Sequence, residues 1–164
     1  MAQPMTRATF LDLVRNGRAE WDALIEQIDK ARMTEPGVEG EWSLKDIIAH
    51  VTWYEREMVS VVQARALVGS DLWGLPLEAR NAGVFAEILN RPLPEVLAET
   101  YTVFQQLMAG LQTLTDEDLN EASRFAEMPL EWKPWQVIAS NTYEHYPDHI
   151  QPIWAWLEKS LTQT

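Results

Sequence analysis

The chain contains three histidines, and two of them, His145 and His149, stand four residues apart in Asn141-Thr142-Tyr143-Glu144-His145-Tyr146-Pro147-Asp148-His149. On a helix that spacing sets both imidazoles on one face. The third, His50, closes the segment Trp42-Ser43-Leu44-Lys45-Asp46-Ile47-Ile48-Ala49-His50, whose apolar rhythm is also helical. If the two segments pack together, three neutral imidazoles can each give one ring nitrogen to a divalent metal and leave further positions open, as in a catalytic rather than a closed structural site. Zinc, nickel and ferrous iron are all chemically admissible. The same residues also fit a hydrogen-bonded core His50 with partly solvated His145 and His149, and spacing alone does not separate the two readings.

Helical neighbours supply groups that would orient the imidazoles. Asp46 and Glu57 flank His50 by one and two turns, and Asn141 and Asp148 flank His145. Glu57 and Glu144 are the carboxylates nearest in sequence to serve as a base toward a metal-bound water or thiol. A solvated helix face accounts for the same acids. Trp53, Tyr54 and Tyr143 are candidates to line an apolar pocket. Pro147 lies between the paired histidines and cannot donate to the carbonyl of Tyr143, so a bend is expected there. No cysteine is present, which removes disulfides, thiolate nucleophiles and sulfur ligands. A Gly-rich phosphate loop, a Gly-x-Ser-x-Gly elbow and a His-Glu-x-x-His helix are absent too.

The elements that must position these residues read as helices. From about Thr6 to Met33, Phe10, Leu13, Val14, Trp21, Leu24, Ile25 and Ile28 recur at steps of three and four. Thr34-Glu35-Pro36-Gly37 ends that run, and a connector leads to Glu41. The second helix opens at Ser43, with Asp46 to complete a capping box and Trp42 and Ile47 as a hydrophobic staple, and it continues to roughly Leu67. Residues 69 to 80 are expected to form a flap, whose Leu72, Trp73 and Leu75 pack on the protein itself or on a partner. A third helical region follows in two pieces, Asn81 to Leu89 and Pro94 to Leu114. Thr115 to Leu119 is a cap and a short turn, Asn120 to Glu131 a crossover, and a last helix is expected from Pro134 to about Leu161. The absence of alternating strand patterns makes the class all-α: a helical bundle, with up-and-down order as the first guess.

A length of 164 residues suits one domain, 1–164, with its own core. Thirteen basic residues against 25 acidic give a formal charge of −12, which disfavours nucleic acid and anionic membranes as partners. The N-terminus lacks a secretory pattern and no apolar run approaches about 18 residues, so a soluble, cytoplasmic protein is expected. The eight tryptophans are read mainly as core and helix-end packing.

Trp42 to His50 with the following Trp53 and Glu55, the Asn141 to His149 stretch, and the middle region from Arg80 to Leu119 together resemble the DinB-like four-helix bundles, and within them the ClbS/DfsB-type proteins. The resemblance implies up-up-down-down order and a divalent metal on three histidines, one from the second helix and two from the fourth. His50, His145 and His149 fall on those positions. It also implies a thiol-dependent transferase or isomerase, or self-protection against a reactive natural product. The expected function is a metal-dependent enzyme acting on a small electrophilic or thiol-conjugated molecule, with a low-molecular-weight thiol as a possible co-substrate. The alternatives are a non-enzymatic small-molecule binding module and a homodimer formed through Trp154 or the Leu72-Trp73 flap.

Overall fold

The computed structural model describes residues 3–163, and within them the chain forms seven α-helices and no strands. They are α1 (Arg7–Glu26), α2 (Leu44–Ala64), α3 (Leu77–Ile88), α4 (Leu93–Gln112), α5 (Asp116–Asn120), α6 (Pro134–Ser140) and α7 (Tyr146–Thr162). Short 3-10 turns at Lys30–Arg32, Asp71–Gly74 and Ala122–Arg124 punctuate the connections. None of the described helices is long and apolar enough to cross a membrane.

Local chemistry explains where the elements begin. Ser43 caps α2 by accepting from the Asp46 amide, and the Asp46 carboxylate accepts from the Ser43 amide in return, completing the expected capping box. Thr115 and Asp118 repeat the device on α5. The first helix stops at Glu26 rather than near Met33. Asp29 is extended, and its side chain accepts from the Ala31 amide, diverting the backbone into a 3-10 turn while Ile28 and Met33 turn inward. The flap packs on the protein itself: the Trp73 indole lies against Trp53 and Tyr54, with ring centroids 5.7 and 5.5 Å apart, and its Nε1 donates to Glu57.

Cross-helix contacts fix the directions of the long helices. At its start α2 reaches the residues just ahead of α4, through Lys45 Nζ to the Leu89 carbonyl, and at its end Arg65 donates to the Thr113 carbonyl, so the two run the same way. Opposed to both is α1, whose Arg7 reaches the Gln112 and Leu114 carbonyls while Arg18 reaches the Thr100 carbonyl. Parallel to α1 lies α7: Trp21 stacks on Tyr146 at 5.3 Å, and Arg32 just beyond α1 donates to Ser160. The order is therefore up-down-down-up, a correction to the expected up-up-down-down. It follows from the antiparallel return into α2, where the Lys45 amide bonds the Met33 carbonyl.

The core has two halves. One joins Trp21 and Leu24 to Ile47, Ile48, Val84 and Ile153; the other joins Phe10 and Val14 to Val61, Leu107, Leu111 and Ile138. Burial of a side chain of this size contributes about 1.5–3 kcal/mol. Trp73 and Tyr143 touch both halves.

A candidate metal centre at three histidines

The expected continuous last helix is broken. Ser140, Asn141 and Thr142 turn their side chains back onto the Val137 and Ile138 carbonyls, and this competition ends α6. A turn over residues 141–145 follows, and α7 starts after His145, with Pro147 in its first turn, where a missing N–H costs nothing. Pro147 therefore does not kink a helix between the histidines; the proline inside α7 is Pro152. The turn fits against α1 because Gly17 has no side chain: a Cβ there would lie 2.6 Å from Tyr143 Cβ.

His145 sits at the N-cap of α7 and His149 one turn on, so the pair still shares a face, with Nε2 atoms 3.0 Å apart. His50 arrives from α2 with its ring centroid 5.1 Å from each of the other two. One ring nitrogen from each of the three lies within 4.8 Å of the others. Nitrogens bound to one tetrahedral zinc at about 2.0–2.1 Å would stand roughly 3.3 Å apart, close to the spacing of His145 and His149.

The electrostatics favour neutral ligands. Burial, and then the neighbouring histidines, push His50 and His145 down to about 3. Each is therefore a neutral imidazole at physiological pH, with a lone pair to offer. Glu39 holds the outer face of His149, with its carboxylate oxygens 2.8 and 3.1 Å from Nδ1. A carboxylate in that position accepts the Nδ1 proton and turns the Nε2 lone pair toward His145. The Nδ1 atoms of His50 and His145 are buried without hydrogen-bond partners. Three convergent imidazoles with this donor set fit a divalent ion.

The histidines line a pocket of about 280 Å³ together with Tyr54, Leu77, Arg80, Asn81, Ser140, Asn141 and Asp148. Tyr54 packs on the rings of His50 and His145, at 5.1 and 4.9 Å, and its hydroxyl donates to Asn81. Trp42 meets His50 edge-on, with ring centroids 5.1 Å apart.

A sequence profile of the DinB superfamily matches residues 13–151 of this chain, a span that includes all three histidines. The chain belongs to the DinB superfamily. In fold it is similar to the crystal structure of an uncharacterised protein from Escherichia coli UTI89, with a TM-score of 0.74 over 96% of this chain and 95% of that one, at 16% sequence identity. No curated protein matches it.

In this DinB-superfamily member, the histidine pocket brings together His50, His145, His149, Tyr54, Asn141 and Asp148. The other residues named from the sequence lie elsewhere. Asp46 is committed to the α2 cap, because the capping geometry points its carboxylate back at Ser43. Glu57 accepts from Trp73 Nε1 and the Ser70 amide, each at 2.7 Å, and serves as a strut for the flap. Trp53 donates to Glu87. Tyr143 packs on Phe10, and burial pushes its hydroxyl up to about 12. Glu144 lines an adjoining larger cleft.

Sequence reasoning missed Glu39 and a buried cluster beneath the site. Glu39 lies in a turn between Gly37 and Gly40, both at positive φ, and that bracketing was its one local signal. Glu55, fully buried, accepts from Arg18 at 3.1 Å and from the Tyr146 hydroxyl. Arg18 also reaches Asp22 and Thr100, so the cluster ties α1, α2, α4 and the first turn of α7 together. Burial pushes the Glu55 carboxyl up from its ordinary value, with the Arg18 charge acting against that.

Proposed function

We propose that this protein is a metal-dependent enzyme of the DinB superfamily acting on a small electrophilic or thiol-conjugated molecule, with His50, His145 and His149 holding one divalent ion. The observation that carries this reading is the convergence of three buried or half-buried imidazoles, two of them held neutral, on the wall of a small pocket. A divalent ion there supplies Lewis acidity toward an oxygen or sulfur atom bound beside it. The chain's own residues do the rest. Glu39 keeps His149 in one tautomer, Tyr54 and Trp42 pack against the His50 ring, and Asp148 in the pocket or Glu144 in the adjoining cleft moves a proton at the substrate. Glu57 is left out of that role by its bonds to the flap. The same reading takes the four long helices as the superfamily's four-helix bundle and places the chain near its ClbS/DfsB-type members.

Elemental analysis of protein purified without a nickel column is expected to find close to one zinc, nickel or iron per chain. His145→Ala should remove most of it, and an unchanged content would sink the triad assignment.

A second reading, a binding module that works without turnover, is favoured by one observation: a cleft of about 1000 Å³ adjoins the histidines and presents Trp73, Trp132 and Trp135. Ligand binding unaffected by metal removal, in a protein without measurable turnover, would select it.

A further inference from the structure

The larger cleft and the histidine pocket share part of their lining, namely Arg80, Ser140 and Asn141. Arg80, Ser140 and Asn141 therefore stand at the boundary between the cleft and the imidazoles. The cleft's volume of about 1000 Å³ lies at the upper end for small-molecule sites. Its apolar lining includes Met58, Val61, Leu67, Trp73, Trp132 and Trp135, surfaces that suit a flat hydrocarbon body.

Arg80 is set apart from most of the arginines, sharing with Arg7 a guanidinium that bonds carbonyls and no carboxylate. In this acid-rich chain Arg18, Arg56, Arg65 and Arg91 each reach a carboxylate. Among the described residues, none lies within 4.0 Å of Arg80. Its guanidinium is aimed instead by neutral groups: Nη2 donates to the Leu75 carbonyl at 3.2 Å and the Trp73 carbonyl at 3.5 Å, and the group sits 4.6 Å over the Trp73 ring. Its Nε is buried with no acceptor. Carbonyls and a π-face orient a guanidinium without neutralising it, so one full positive charge stands at the junction of the two cavities. Glu131, Glu144 and Lys133 also line the cleft, the last donating to the Asn120 carbonyl at 3.0 Å, and Asp148 lines the histidine pocket; of the two cations only Arg80 borders both cavities, so an anion near the histidines finds its attractive partner on α3.

We propose that the combined site takes an amphipathic organic acid, with its flat apolar body against the tryptophans, its carboxylate on Arg80 and its reactive end toward the histidines. The reactive-end placement rests on the proposed metal-dependent function; the acid site itself does not.

The test uses 2-naphthoate and its neutral counterpart 2-naphthylmethanol as probes, measured by calorimetry at pH 7.5 on wild-type protein with and without bound zinc. The acid is expected to bind at least about tenfold tighter than the alcohol, the effect of one charge-assisted contact. Arg80→Gln should erase that preference while leaving alcohol binding within about twofold, and Trp135→Ala should weaken both ligands. Equal binding of acid and alcohol by the wild type would overturn the proposal without needing any variant to fold. A preference seen only in zinc-loaded protein and untouched by Arg80→Gln would overturn it as well, by placing the carboxylate on the metal. A preference retained by protein that never binds metal would uphold the acid site while refuting the metal reading.

Discussion

Replacing Glu39 tests whether the histidines are organised as ligands or merely packed. Its carboxylate oxygens lie 2.8 and 3.1 Å from His149 Nδ1, a geometry in which both can share one proton. Removing such a partner from a ligating histidine lowers metal affinity by about 10–100-fold. The Glu39 side chain is 24% exposed, so water can partly replace it in Glu39→Ala, and the lower end applies: about tenfold, or about 1.4 kcal/mol. Glu39→Gln keeps an acceptor for the Nδ1 proton and should lose less than Glu39→Ala. The assay is competition for zinc against a chromophoric chelator at pH 7.5, with urea melts of the metal-free proteins as the control. Those melts should shift by only about 1 kcal/mol, the net contribution of one hydrogen bond whose acceptor water can partly replace. Zinc affinity within a factor of two of wild type in Glu39→Ala would refute the orienting role, and equal losses in the two variants would show that charge, not the hydrogen bond, carries the effect.

Metal-free protein should lose stability as the pH falls from about 6.5 toward 5. His50 and His145 are pushed down to about 3 in the fold, so in that window the unfolded chain takes up protons that the folded one refuses. Each histidine adds a slope of up to about 1.4 kcal/mol per pH unit; urea melts across the window should show it, His145→Asn should lessen it, and a flat wild-type profile would refute it. Glu55→Ala leaves Arg18 buried beside only one carboxylate, that of Asp22, and is expected to cost about 3–5 kcal/mol by chemical denaturation, with Glu55→Gln costing less. Gly17→Val forces a side chain into Tyr143 and should cost about 1–3 kcal/mol while weakening zinc binding; unchanged affinity would mean that the 141–145 turn is not held by α1.

What the sequence made legible was local. The α2 capping box and the Thr115 cap are short-range hydrogen-bond patterns, and they appear as expected. Residues 141–145 form a turn where the pattern predicts a helix. The helical pattern runs through Pro147 and predicts a bend there, whereas the side-chain bonds of Ser140, Asn141 and Thr142 end α6 ahead of it and leave the proline free to occupy a first turn. Helix order was not legible at all, because the parallel run of α2 and α4 is set by contacts such as Arg56 to Glu99, which no local pattern encodes. The three histidines could be found because their chemistry is rare in this composition. Glu39 and Arg80 could not, since one acid among 25 and one arginine among many acquire meaning only from where the chain folds them.

The break before α7 changes the physical character of the site. In one continuous helix, His145 and His149 would move as a rigid pair. Here His149 is fixed by a helical turn and by Glu39, while His145 belongs to a turn that leans on Gly17 through Tyr143. The adjoining Tyr146 is anchored from below by Glu55 and Trp21, which ties the start of α7 to the helix that carries His50 and to α1. The distance between His50 and the paired histidines is thus set by a buried polar clamp rather than by apolar packing alone. Damage to the clamp should therefore reach the imidazoles: if Glu55→Gln folds, its zinc affinity should fall more than its stability loss would suggest, whereas a purely structural clamp would leave zinc affinity in the folded protein unchanged.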